Sequence, residues 1–171
     1  STLIDFPYLT PEWKQNCEEE RLLGVSITGQ WDCLAVRSPE TLAKLKQRAI
    51  ETNKDYASRF GINQSTCVTC VKPSGTVSQL VDASSGMHAR HSPYYIRRVR
   101  IDASDPLWKM LKDQKIPYHP EVGQIDGLAT QYVVEFPVKA PEGAVFRDDL
   151  TAIEQLEYWK MVKLNYTEHN P

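Results

Sequence analysis

CVKPSGTVSQLVDASSGMHARHSPYYIRRVR, from Cys70 to Arg100, is the stretch from which the rest of the chain can be read. A strand-like run enters it, a Ser-Gly-Thr turn follows, and an apolar segment of helical spacing leaves it. Residues Thr66 to Val71 are β-branched or small and suit an extended strand. Pro73 resists helical continuation of what precedes it, and Ser74, Gly75 and Thr76 can open a helix. A helix start leaves backbone N–H groups unpaired and pointing outward. Those donors and the positive end of the helix dipole favour a phosphate, and Gly75 lets backbone come close to it. Each charge-assisted hydrogen bond contributes roughly 1.5–3 kcal/mol, against about 0.3–1 kcal/mol for the dipole at an exposed terminus, so the donors decide affinity. The candidate phosphate cradle is Ser74, Gly75, Thr76, Val77 and Ser78. The same tripeptide can also do no more than cap a helix.

The 171 residues are about one domain's worth, and 41% hydrophobic with 25% charged residues is the mixture of a soluble globular protein. We read residues 1–171 as a single partial domain, cut at both ends: the chain opens on Ser1 and stops at Pro171 directly after a strongly helical segment. A net charge of −2 argues against a binder of nucleic acid polymers, which needs a clear excess of Lys and Arg over one face. No signal-peptide pattern opens the chain and no apolar run reaches membrane-span length, so the expected location is cytoplasmic, with no membrane partner.

Thr10-Pro11-Glu12 predicts a helix from Pro11 to Leu22. The run Gly24 to Gly29 fits a buried strand or a tight connection. Ser38-Pro39-Glu40 starts a second helix, in which Leu42, Leu45, Ala49, Asn53, Tyr56 and Phe60 recur at steps of three and four before Gly61 caps it. Tyr94 to Ile101 and Gln131 to Val138 read as strands. Asp105-Pro106 opens a short helix between them, and 115–129 reads as a loop. Thr151 and Glu154 form a capping box for a last helix with Ala152, Leu156, Trp159, Val162 and Tyr166 on one face. Strands alternate with helices, so the expected class is α/β with a largely parallel sheet or barrel.

Other candidate chemistry is weaker. Cys67 and Cys70 make a CxxC, but in a strand they point to opposite faces and no second ligand pair accompanies them. They read as small buried residues, and no metal site is expected. His88, Arg90 and His91 read as a loop that adds positive potential. Arg98 and Arg100 share one strand face and Arg97 takes the other, either ion-paired and solvated or turned to a ligand. Asp148 and Asp149 sit beside the capping box, where negative charge simply favours the helix start. Walker A and GxGxxG patterns are absent.

The Cys70 to Arg100 stretch resembles the adenosylcobalamin-dependent ribonucleotide reductases. So do Arg21-Leu22-Leu23-Gly24-Val25-Ser26-Ile27-Thr28-Gly29, the Asp105-Pro106-Leu107 helix start, FPVKAPEGAV from Phe136 to Val145, RDDLTAIEQLEYWK from Arg147 to Lys160, and the terminal Glu168-His169-Asn170-Pro171, in family order. The resemblance implies the C-terminal part of a ten-stranded α/β barrel. It implies an enzyme that reduces a ribonucleoside di- or triphosphate by a thiyl radical started by adenosylcobalamin: the thiyl takes the ribose 3′ hydrogen, a cysteine pair supplies electrons and the 2′ hydroxyl leaves as water. A thioredoxin-type protein is the implied reductant. Pro73 to Ser78 becomes the implied substrate-phosphate loop.

The family's finger-loop run, Asn-Pro-Cys-Gly-Glu-like, is not in this sequence, and the resemblance implies that it lies upstream of Ser1. The reducing cysteines are implied downstream. None of Cys17, Cys33, Cys67 or Cys70 matches them, so no catalytic residue is assigned here and the isolated segment is expected to be inactive. Glycine at position 75, where oxygen-dependent diiron reductases tend to carry glutamate, favours the cobalamin class. The contrasting expectation is a non-catalytic nucleotide- or phosphate-binding module that shares this part of the fold.

Overall fold

A computed structural model describes residues 3–72 and 74–169, and in it the chain forms two compact units. The first comprises the residues up to Arg90 together with those from Ala144 onward; the second is His91–Gly143.

The first unit is mostly helical. Helix α1, Pro11–Glu20, starts on proline as the sequence predicts but stops two residues before Leu22, because Arg21 turns into the left-handed region with φ 48°. Its guanidinium then reaches back to the Ile4 carbonyl. Helix α2, Pro39–Phe60, has both predicted caps: Ser38 Oγ accepts from the Thr41 N–H, and Gly61 ends the helix at φ 65°. Helix α3 is Gly75–Leu80 and helix α5 is Ala152–Asn165, the latter opened by the reciprocal Thr151–Glu154 capping box. Leu42 of α2 packs with Met87 and with Tyr158, Val162 and Tyr166 at the α5 end, which forms the core of this unit. The buried line on α5 therefore runs through Tyr158 and Val162. Leu156 and Trp159, placed on the core face by the sequence pattern, are 62% and 45% exposed. Apolar residues surround α5, so periodicity alone could not choose its inward face.

Among the described residues the extended segments of this unit pair at isolated parallel bridges, Val25 with Thr69, Cys70 with His169 and Arg90 with Phe146. The strand expected over Thr66 to Val71 is thus realised as a short extended crossing. Cys70 is buried within it, and burial raises its thiol pKa against the opposing pull of Lys72. Glu168 completes the crossing by accepting from the N–H groups of Val68 and Thr69, at 2.9 and 3.0 Å. Asn170 and Pro171 lie outside the described residues.

The second unit is a three-stranded sheet with one helix. Strands β1, Tyr94–Asp102, and β3, Gln131–Lys139, pair antiparallel over their whole length. A short β2, Tyr118–Pro120, pairs antiparallel on the other side of β3, giving the order β1-β3-β2. The expected largely parallel sheet is corrected here. Strands β1 and β2 do run in the same direction through helix α4, Pro106–Asp113, but β3 lies between them and opposes both. Strand β2 interrupts the predicted 115–129 loop, and its Pro120 is tolerated because an edge strand does not need every donor. Burial alternates along β1, as a strand with one covered face requires. On that face Ile101, Tyr132 and Val134 meet Trp108 and Leu111 of α4. Trp108 stacks on Tyr132 with ring centroids 4.0 Å apart and planes 8° apart, and Tyr118 meets both rings edge-on. On the opposite face Arg98 pairs with Glu135 at 2.9 Å, and Arg100 pairs with Glu121. Of the two expectations for these arginines, the ion-paired one holds.

Replacing Trp108 with alanine should remove the ring on which this small core is built. We expect a loss of about 3–5 kcal/mol in unfolding free energy by urea titration, and loss of near-ultraviolet circular dichroism from the Trp108–Tyr132 stack.

Candidate functional site

Ser74, Gly75, Thr76, Val77 and Ser78 lie together at the start of α3, in the first unit; Pro73 lies outside the described residues. Ser74 occupies the N-cap position, yet its hydroxyl makes no capping bond. It turns instead toward Thr28 Oγ1, at 2.7 Å, and Ser85 Oγ, at 3.4 Å. The first turn is tightened from inside: Ser78 N–H and Ser78 Oγ both donate to the Ser74 carbonyl, at 2.9 and 2.5 Å. Ser78 is fully buried, so its hydroxyl serves the turn. Gly75, Thr76 and Val77 thus form the exposed first turn of α3.

Gly75 has the space its proposed role needs. A Cβ built on it would meet nothing within 4 Å, and its backbone is not in the left-handed region. The fold does not demand glycine there. Gly86 differs: its φ is +54°, and a Cβ would come within 3.4 Å of the Lys72 carbonyl and 3.9 Å of Ser74 Oγ. Those distances are ordinary contacts, and it is the left-handed backbone that favours glycine at this point of the 84–86 loop.

The cradle leans on two segments that the sequence pattern did not connect with it. Thr28 Oγ1 donates to the Ser84 carbonyl at 3.1 Å and accepts from Gly86 N–H at 3.2 Å, while Gly29 N–H donates to Ser84 O at 2.8 Å. Thr28-Gly29 and Ser85-Gly86 are both hydroxyl–glycine pairs, and that similarity is the signal that could have drawn attention to them. Their meeting is tertiary, and no periodicity records it.

Arg90 corrects the expectation of free positive potential near His88 and His91. Its side chain is only 7% exposed and grips Asp32 with Nε to Oδ1 and Nη2 to Oδ2, both at 3.1 Å, and Asp82 with Nη1 to Oδ1 at 2.9 Å. Burial opposes the charge, but the bonds to Asp32 and Asp82 outweigh it and raise the guanidinium pKa. His88 stays exposed, and among the described residues no group of three His, Cys, Asp or Glu could hold a metal. An apolar groove of about 960 Å³ in this unit lies elsewhere, walled by Trp13, Leu22, Leu45, Tyr56 and Phe60.

Two phenols support the segment that carries Thr28. Tyr166 donates to the Val25 carbonyl at 3.1 Å, and Tyr158 donates to Gln30 Oε1 at 2.8 Å, whose amide in turn bonds to Ile27 O. Burial pushes both phenols up to about 12.

No family model matches the chain. Among curated proteins it is similar to the adenosylcobalamin-dependent ribonucleoside-triphosphate reductase of Lactobacillus gasseri, 39% identical over 101 residues, covering 59% of this chain and 13% of that protein. The enzyme of the same name from Lactobacillus delbrueckii subsp. bulgaricus is 34% identical over 163 residues, covering 78% of this chain and 22% of that protein. That from Euglena gracilis is 32% identical over 151 residues, covering 84% and 20%. The chain thus spans less than a quarter of the length of these relatives. A crystal structure of a B12-dependent, class II ribonucleotide reductase superposes with a TM-score of 0.74 at 24% identity, over 91% of this chain and 26% of the other. The curated homologues are adenosylcobalamin-dependent reductases, and the fold is that of part of a class II enzyme.

Tyrosine in an unfolded chain ionises near 10, and Tyr158 and Tyr166 ionise near 12 when folded. Their contribution to stability is therefore complete below pH 10 and lost as pH rises through 12. Thermal midpoints should fall steeply between pH 10 and 12. Absorbance at the tyrosinate band should show two of the eight tyrosines titrating late, together with unfolding.

Proposed function

We propose that this chain is a segment of an adenosylcobalamin-dependent ribonucleoside-triphosphate reductase, and that it supplies the loop that holds the substrate's phosphates. The observation that carries this reading is the exposed start of α3 at Gly75, Thr76 and Val77, whose backbone N–H groups are the donors we propose, beside the hydroxyls of Ser74 and Thr76, in a chain whose homologues bear that name. Phosphate oxygens accept from such donors without a cation being required. Helix α3 has only six residues, so its dipole is small and the hydrogen bonds supply most of the attraction. Ser78 works from inside the turn, its N–H and hydroxyl both donating to the Ser74 carbonyl.

In this reading the fold is the C-terminal part of a ten-stranded α/β barrel, and the parallel bridges Val25–Thr69 and Cys70–His169 are where its strands begin to pair. Adenosylcobalamin supplies the radical chemistry of the whole enzyme, and we assign none of the described residues to it. The radical cysteine, the reducing cysteines and the catalytic glutamate are likewise assigned outside this segment. What this chain does is bind and orient: it fixes the phosphate end of a ribonucleotide so that the ribose is held for reduction. A thioredoxin-type reductant and a cytoplasmic location complete the proposal, and the triphosphate is the substrate favoured by the homologues' names.

Gly75→Val tests the loop directly in the full-length enzyme. The side chain has room in the fold, so the thermal midpoint should hold, while its methyl groups stand where phosphate approaches. We expect the KM for ribonucleotide to rise about tenfold with cobalamin affinity unchanged, as befits loss of ground-state binding. An unchanged KM would remove the phosphate-loop assignment.

A further inference from the structure

We infer that Arg90 is a positioning residue for the phosphate cradle, acting through Asp32 and the loop from Asp82 to Gly86. The inference rests on the cradle reading above. Arg90 cannot serve as a ligand itself, because its guanidinium is buried and spent on Asp32, on the Asp82 carboxylate and on the Asp82 carbonyl. What it does is hold one short segment from both sides. Asp82, in the left-handed region at φ 47°, follows the C-cap Val81 of α3, and the next residue's N–H returns to the Ser78 carbonyl at 2.8 Å. Asp32, aligned by the bidentate grip, accepts the Ser84 N–H at 2.6 Å. Ser84 O in turn receives Thr28 Oγ1 and Gly29 N–H, and Ser85 Oγ stands against Ser74 Oγ.

Every path from the guanidinium thus ends on Ser74 or on the turn that Ser78 closes. Arg90 is itself fixed at the backbone, its N–H donating to Val145 O and its carbonyl accepting from Arg147 N–H, both at 2.9 Å. A planar fork is needed for this arrangement. Lysine would keep the charge, but a single ammonium cannot bond two Asp32 oxygens in parallel and Asp82 as well.

The test uses the full-length reductase carrying Arg90→Lys, with Ser74→Ala as a control on the cradle itself. KM and kcat are measured for a ribonucleoside triphosphate, and the inhibition constant for the unphosphorylated ribonucleoside. Arg90→Lys should raise KM about tenfold, with kcat within about twofold and the nucleoside's inhibition constant unchanged, since only the phosphate end is misplaced. An unchanged KM overturns the inference, and so does a KM that rises in step with the nucleoside's inhibition constant, which marks general damage. If Ser74→Ala raises KM while Arg90→Lys does not, the cradle stands and Arg90's role falls. If neither variant changes KM, both fall. Should Arg90→Lys fail to fold, Asp82→Asn, which loosens only one arm of the clamp, is judged by the same criteria.

Discussion

The carboxylate of Glu168 accepts hydrogen bonds from Val68 N–H and Thr69 N–H, and the first unit depends on that knot. Three extended segments meet there from distant parts of the sequence, around Val25, Thr69 and His169, and none is long enough to form a regular ladder with its neighbour. Buried backbone donors left without a ladder must find another acceptor. Glu168 provides it. Burial acts against its charge, yet the N–H groups of Thr69 and Val68 outweigh that and lower its pKa. Two residues earlier, the Tyr166 carbonyl takes Thr69 Oγ1 at 2.6 Å and its phenol holds Val25, so one corner of the chain fixes both neighbours of the crossing.

From this crossing the support passes upward to the cradle through residues 25 to 30. Thr28 is the junction, bonded to Ser74 on one side and to the 84–86 loop on the other. The cradle is consequently built from neutral groups: hydroxyls and backbone N–H, with the nearby guanidinium cancelled by two carboxylates. In the function we propose, such a site would discriminate by geometry more than by charge. That suits a chain with a net charge of −2, which would gather few anions by long-range attraction.

Much of this was legible in the sequence wherever the signal is local. Proline at the first helical position, the Ser38 and Thr151 caps and Gly61 placed α2 and α5 correctly, because each depends on residues within one turn. The start of α3 is legible in the Ser-Gly-Thr turn, and the phosphate role of Ser74 to Ser78 is our proposal. What escaped was tertiary. The direction of β3 relative to β1 follows from packing over α4, and the inward face of α5 follows from what Leu42 offers it. Arg90 looked like free charge in a loop because Asp32, 58 residues away, carries no mark of being its partner. The 115–129 stretch hid β2 because two prolines flank or occupy it, and only its place at a sheet edge excuses them.

The backbone bonds of Arg90 have a meaning beyond the cradle. Arg90 and Phe146 form a parallel bridge inside the first unit, so the chain leaves that unit and re-enters it at adjacent points. Everything between, His91 to Gly143, is an excursion whose two ends are already closed. An interval of this kind adds little loop-closure entropy to its host, because its own β1–β3 pairing, with Tyr94 opposite Lys139, already holds its ends together. Its length and content can drift independently of the host's hydrogen bonds. The second unit, with its own aromatic core on one face of the sheet, therefore carries its packing within itself, and a change inside it need not disturb the hydrogen bonds of the first unit.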